Sequence, residues 1–170
     1  GTAIPSITVI NGTVVGELPV STRTGYTFNG WYTAQTGGTK VTAPLTVTAN
    51  MTLHAQWRIN DYLVTYDANG GSAVTAEWHT YNTQLGTLPT TTRTGYTFQG
   101  WYTAKTGGTK ISTQTIVTRN VTYYAQWVIN VYDVTWNSNG GESVPVSKIT
   151  YGHELGTLPR PNRVGHTLNG

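Results

Sequence analysis

Apolar and polar residues alternate along this chain in short runs, and the runs recur at a fixed spacing. Tyr62-Leu63-Val64-Thr65-Tyr66 reads as a strand, and its counterpart 70 positions on is Tyr132-Asp133-Val134-Thr135-Trp136. Side chains alternate between the two faces of a strand, so comparing copies assigns the faces. Leu63 becomes Asp133, which puts that phase toward water. Tyr62, Val64 and Tyr66, with Tyr132, Val134 and Trp136, are then expected to face the core. Val121 to Trp127 reads as a closing strand in which Val121, Tyr123, Ala125 and Trp127 share one face. Met51, Leu53, Ala55 and Trp57 repeat that face, which is predicted to be buried. Tyr96 to Tyr102 reads as a further strand, with Gly100 marking a bulge or a close backbone contact. A strand is also expected over about Val74 to Tyr81. Its copies, Ile4 to Asn11 and Val144 to Tyr151, share no clean alternation, so its inward face stays open.

Turn chemistry separates these runs. Asn69-Gly70-Gly71 and Asn139-Gly140-Gly141 follow the first strand, and Asn and Gly tolerate positive φ. Leu85-Gly86-Thr87-Leu88-Pro89 and the Thr-rich stretch after it predict an irregular crossover. Gly107-Gly108 turns the chain again. Ile111 to Asn120 leaves room for a short helix, although its residues are weak helix formers. Only four residues separate Trp57 from Tyr62, and the same four positions separate Trp127 from Tyr132. So short a link is no flexible tether, and adjacent units are expected to touch in a stiff, elongated array.

The most informative repeated word is Thr22 to Tyr32, copied at Thr92 to Tyr102. A looser third copy begins at Asn162-Arg163-Val164-Gly165-His166. A fixed period means one folding unit used several times. It divides the chain into residues 1–57, an incomplete repeat lacking its first strand; residues 58–128, a complete repeat; and residues 129–170, a truncated repeat. The first copy lacks the strand matching Tyr62 to Asp67, whereas the last copy has that strand without its closing half. Isolated material is therefore expected to self-associate or to have poorly ordered terminal copies.

Composition changes this picture little. Thr, Tyr and Trp suit a pleated, half-exposed surface, and good helix formers are sparse. The net charge of +3 comes from scattered residues without a basic run, which gives nucleic-acid binding little support. The absence of cysteine excludes disulfides and thiolate metal sites. No apolar stretch approaches the length of a membrane span.

Three words in order carry a family resemblance: Tyr62 to Gly71 (Tyr-Leu-Val-Thr-Tyr-Asp-Ala-Asn-Gly-Gly), Arg93 to Tyr102 (Arg-Thr-Gly-Tyr-Thr-Phe-Gln-Gly-Trp-Tyr) and Val121 to Trp127. They resemble the Listeria–Bacteroides repeat, the internalin B-repeat-like family of bacterial surface proteins. The resemblance covers essentially the whole chain. It implies a mostly β, small α+β unit of β-grasp-like type, with a short helix or turn packed on a small sheet. It also implies tandem use in secreted or wall-anchored bacterial proteins and offers no catalytic residues to transfer. The expectation is a non-catalytic stalk or spacer segment with an adhesion role, located outside the cell. Its partners would be neighbouring repeats and cell-wall or host glycans or a host surface protein; no cofactor is expected. The alternative is a binding module that uses exposed aromatics on a glycan or host receptor.

Comparing copies also sorts the candidate chemistry. His54, His79, His153 and His166 have no His at their counterpart positions, and no two stand at metal-ligand spacing. No acid pair recurs, as a glycosidase would need, and Asp67 reads as a turn residue. Lys40 and Lys110 recur with Asn50 and Asn120, the residue types of an isopeptide cross-link, but no acid lies between Trp31 and Trp57; solvated lysines are the simpler reading. Trp31, Trp57, Trp101, Trp127, Tyr66 and Trp136 are assigned to the structural core. Arg93, with Arg23 and Arg163, is read as stacking on an aromatic or bonding loop carbonyls, against the alternative of meeting anionic polymers. Trp78 does not recur, and Tyr124 lies on the outward phase. With Arg93 they are the candidates for a ligand or inter-repeat contact.

Overall fold

A computed structural model describes residues 1–169, and every element in it is a strand, turn or loop. Gly170, the last residue of the expected third copy, lies outside the described residues. In chain order the strands are β1 (Thr13–Val15), β2 (Tyr26–Tyr32), β3 (Lys40–Val41), β4 (Leu45–Val47), β5 (His54–Ile59) and β6 (Asp61–Asp67). They continue with β7 (Glu77–Thr80), β8 (Tyr96–Tyr102), β9 (Val121–Ile129), β10 (Val131–Val134) and β11 (Ser147–Thr150). They form sheets of order β1-β4, β3-β2-β5, β7-β6-β9-β8 and β10-β11. The protein is thus mostly β. The short helix allowed for at Ile111 to Asn120 is absent: weak helix formers there make turns instead, and the segment hydrogen-bonds to residues 82–86.

The chain packs as two compact units whose borders run inside the middle repeat. One gathers residues 1–65, 76–87 and 112–121; the other gathers residues 66–75, 88–111 and 122–170. In the first unit β2 pairs antiparallel with β5, placing Phe28 opposite Trp57 and Trp31 opposite Ala55. The register slips by one residue between Phe28 and Gly30. In the second unit β8 pairs with β9 in the same way, with Phe98 opposite Trp127 and the slip between Phe98 and Gly100. Of the bulge or close contact expected at Gly100, the bulge is present, and it recurs in both copies of the word. Its consequence is packing, because one extra residue brings Phe and Trp onto one side of the strand despite their odd spacing. Phe98 meets Trp101 at 5.4 Å and Trp127 at 5.3 Å, and Phe28 meets Trp31 at 5.5 Å and Trp57 at 5.3 Å.

The deepest burial follows the face assignment made from the alternation in the middle copy, whereas in the first copy Met51 precedes β5 and is 51% exposed, and Leu53, Ala55 and Trp57 are half-buried. Val64 and Tyr66 are buried on β6, and Tyr123 and Ala125 on β9. Trp101 is 1% exposed and packs on Tyr66 with ring centroids 4.8 Å apart. Val117 and Leu85 are buried in the first unit, where the Leu85 and Asn82 N–H groups donate to the Thr115 and Val117 carbonyls. The third copy departs from expectation. Tyr132 is expected on the core face, yet it is 48% exposed, and β10 ends at Val134, before Trp136. Its partner is β11 alone, so among the described residues no sheet neighbour covers its other edge. The second strand is also shorter than expected: β7 covers Glu77–Thr80 of the predicted Val74 to Tyr81.

Candidate functional site

The sequence candidates occupy quite different surroundings. Trp78 lies on β7 opposite Leu63 and is 69% exposed. Tyr124 lies on β9 opposite Tyr102 and is half-buried, with the Lys105 ammonium 5.8 Å from its ring centroid. Arg93 stacks its guanidinium over Tyr96 at 3.8 Å and donates to the Asn69 carbonyl at 3.3 Å. Arg23 stacks on Tyr26 at 3.7 Å, and Arg163 donates to the Asn139 carbonyl at 3.1 Å. Trp101 and Tyr66 are buried, whereas Trp31, Trp57, Trp127 and Trp136 are half-buried. The Asn120 side-chain oxygen accepts from the Leu63 N–H at 2.8 Å, and the Lys110 side chain lies over Gly100.

One constellation occurs twice, once in each compact unit, at the places where one repeat meets the next. In the first unit the Asn60 N–H donates to the Gly25 carbonyl at 3.0 Å, and the Tyr81 N–H donates to the Asn60 carbonyl at 2.8 Å. The Thr27 hydroxyl donates to the Asn60 side-chain oxygen at 2.6 Å. The Tyr81 ring meets Tyr26 edge-on at 6.2 Å and Tyr62 at 6.3 Å. In the second unit Asn130 donates to Gly95, Tyr151 donates to Asn130, and Thr97 donates to Asn130, at 2.9, 2.9 and 2.7 Å. There the Tyr151 ring meets Tyr96 at 6.5 Å.

Glycine is required at the centre of this joint for two reasons. Gly25 and Gly95 have φ of 77° and 78°, a region other residues rarely adopt. A Cβ on either would also run into the ring of Tyr81 or Tyr151. The Gly-Tyr turn therefore closes on an aromatic ring from the following repeat. All its polar groups named above are hydrogen-bonded, so the linker is held rather than tethered.

Recurrence marked these residues without revealing the joint. Asn60 and Asn130 lie in the four-residue links, and Tyr81 matches Tyr151. The first copy has Asn11 at that position. Reading Tyr81 as the end of a strand with no clean alternation hid its role, because its ring packs across the link rather than within its own strand.

A smaller ionic site lies in the second unit. The Asp67 carboxylate accepts from the Asn69 N–H at 2.9 Å and pairs with Lys105 at 3.1 Å. The Asn69 N–H and, next, Lys105 hold its pKa below the usual 3.8. Asn137 makes the same turn contact to Asn139 at 2.9 Å without charge. Among the described residues no group of three or more His, Asp or Glu could hold a metal ion, and no helix is long and apolar enough to cross a membrane.

Comparison with known proteins fits this repeated architecture. Internalin H of Listeria monocytogenes is 38% identical over 156 residues, covering 89% of this chain and 27% of the relative. A protein of Evansella cellulosilytica, named a Gly-rich membrane protein, is 35% identical over 174 residues, covering 92% of this chain and 20% of the relative. The chain thus spans about a quarter of the length of these relatives. No solved structure matches it. The model of the Listeria-Bacteroides repeat domain matches residues 1–56, 62–126 and 132–170, three times along the sequence. The chain belongs to the Listeria-Bacteroides repeat family.

Proposed function

We propose that this chain is a spacer segment of a bacterial surface or secreted protein, holding other parts of that protein at a set distance. One observation carries the reading. The joint of Gly-Tyr turn, link Asn and following Tyr is built twice with the same partners, at 3.0 and 2.9 Å for its central hydrogen bond. A polymer of domains acts as a spacer only if its links resist bending, and hydrogen-bonded, ring-capped links do so. Similarity to Internalin H and to a protein named as a membrane protein supports placement at the cell surface. The reading includes a β-grasp-like unit whose packed element is the turn segment at residues 111–120, and it assigns no catalysis or cofactor to this segment. Small-angle scattering at vanishing concentration tests it. An extended, rigid particle is expected, and a compact globule contradicts the proposal.

A second reading has its own support. Trp78 exposes a large aromatic surface on an edge strand, the kind of group that stacks on a sugar face or anchors a protein contact. On this reading the segment also adheres to wall or host glycans or to a host protein through Trp78, and Tyr124, with Lys105 near its ring, and Arg93 are separate candidate contacts. Loss of a glycan-array signal in Trp78→Ala, with an unchanged melting profile, would support it. No signal from the parent chain would count against it.

A further inference from the structure

The strand β7 is the outer strand of the middle repeat, in a sheet whose other members β6, β9 and β8 are all in place. Among the described residues no strand lies beyond it. Its pairing with β6 decides which backbone groups face outward. The Tyr81 N–H donates to the Asn60 carbonyl at 2.8 Å, and β7 keeps that register, with His79 opposite Tyr62, Trp78 opposite Leu63 and Glu77 opposite Val64. Opposed residues of an antiparallel pair alternate between hydrogen-bonded and non-hydrogen-bonded. The Asn60–Tyr81 bond sets the phase, so Tyr62–His79 and Val64–Glu77 are bonded pairs and Leu63–Trp78 is not. The Leu63 N–H accordingly turns away from β7 and donates to the Asn120 side-chain oxygen at 2.8 Å. The N–H and C=O of Trp78 therefore point to the open edge.

The side chains on this edge differ from those of a guarded one. Natural edge strands are commonly protected by lysine. The strand β11 has Lys148 where β7 has Trp78, and that lysine pairs with Asp133 at 2.6 Å. Trp78 is instead 69% exposed, on the face where Leu63 stands beside it. On the other face Glu77 is exposed and His79 is half-buried. The His79 Nε2 is buried without a hydrogen-bond partner, and the Glu77 carboxylate of the same strand stays 3.5 Å away.

We propose that β7 is a docking edge for β7 of a second copy of this chain, the two strands pairing antiparallel about a two-fold axis at Trp78. An axis perpendicular to the sheet keeps each face on its own side, so residues of equal parity meet: Trp78 with Trp78, and Glu77 with His79. This register uses the groups that already face outward, each Trp78 N–H donating to the other Trp78 carbonyl. Charge complementarity selects the same partner. Each Glu77 carboxylate comes beside the second copy's His79 imidazole, whose Nε2 lacks a hydrogen bond, and no like charges are opposed. On the outer face Leu63 and Trp78 of both copies form one apolar row across the joined sheets. The same arrangement at β11 would oppose Lys148 to Lys148, which repels. Because the interface is isologous, association closes at the dimer. Trp78 then serves as the anchor of a sheet edge.

Sedimentation from micromolar to millimolar concentration, with amide hydrogen exchange followed by NMR over the same range, tests this. The mass should rise from 18.4 kDa and level at twice that value. The Trp78 amide should gain protection in step with the dimer fraction. Trp78→Lys, which copies Lys148 of the related strand, should stay monomeric with an unchanged melting transition, and Trp78→Tyr should still dimerise. Glu77→Lys should weaken the dimer about tenfold, since two cross-strand pairs are lost. A mass constant at 18.4 kDa, even in a chain that binds a glycan array through Trp78, would overturn the proposal. So would a Trp78 amide that exchanges equally fast at every concentration, or a Trp78→Lys variant that associates like the parent.

Discussion

Gly25 and Gly95 do at the residue scale what no other residue type can do at these positions. Positive φ alone costs another residue about 1–2 kcal/mol, and here the following repeat's Tyr ring also occupies the Cβ position. Gly107 separates the two effects, having φ of 64° with open space around it. Gly107→Ala should lose only the backbone term in urea unfolding. Gly95→Ala should lose clearly more, because the Tyr151 ring must also move. Equal losses would mean that the ring contact adds nothing. Asp67 offers a second residue-scale check. Its folded pKa is lowered, chiefly by the Asn69 N–H and then by Lys105. It therefore adds stability above its ordinary value of 3.8 and loses it as pH falls from there through the folded value. Asp67→Asn should flatten the acid limb of the stability curve below that point. Near neutral pH the change should be small, because the pair with Lys105 is solvent-exposed and Asn137 makes the same turn.

At the element scale the bulged strand and its partner form the folding unit. Trp101 is enclosed by Tyr66 and Phe98, and Trp101→Ala should cost about 3–5 kcal/mol. Trp31→Ala, in a half-buried setting, should cost less; calorimetry of both variants checks the order. Much of this level was legible in the sequence. Period-two alternation in Tyr62 to Tyr66 and Val121 to Trp127 gave the buried faces, because strand geometry links sequence parity to side. The Gly at position 100 marked an irregularity, a bulge or a close contact, and the strand register makes it a bulge. Alternation fails where a residue packs across a link rather than within its own strand, as Tyr81 and Tyr151 do, so the joint was not legible as a site. It fails again at Tyr132, whose phase is right but whose cover is missing from β10. Ile111 to Asn120 shows a third limit: weak helix propensity left helix and turn open, and pairing with residues 82–86 decided for turns.

For the whole molecule, the proposed spacer role rests on the hydrogen-bonded joints that link one repeat to the next. Asn60→Ala and Asn130→Ala should weaken the links while leaving each unit's own sheet intact, since those side chains bond to Thr27 and Thr97 across the link. The expected result is a larger spread of particle dimensions by scattering, with little change in the core melting transition. The chain has no cysteine, so a pair of spin labels can be placed cleanly. The most direct measurement is the distance distribution between labels at Thr36→Cys and Thr113→Cys, exposed loop positions of successive repeats joined through Gly25, Asn60 and Tyr81 within the first unit. One narrow peak is expected, broadening when Tyr81→Ala is added. A broad distribution in the parent chain, or one unchanged by Tyr81→Ala, would contradict the spacer role.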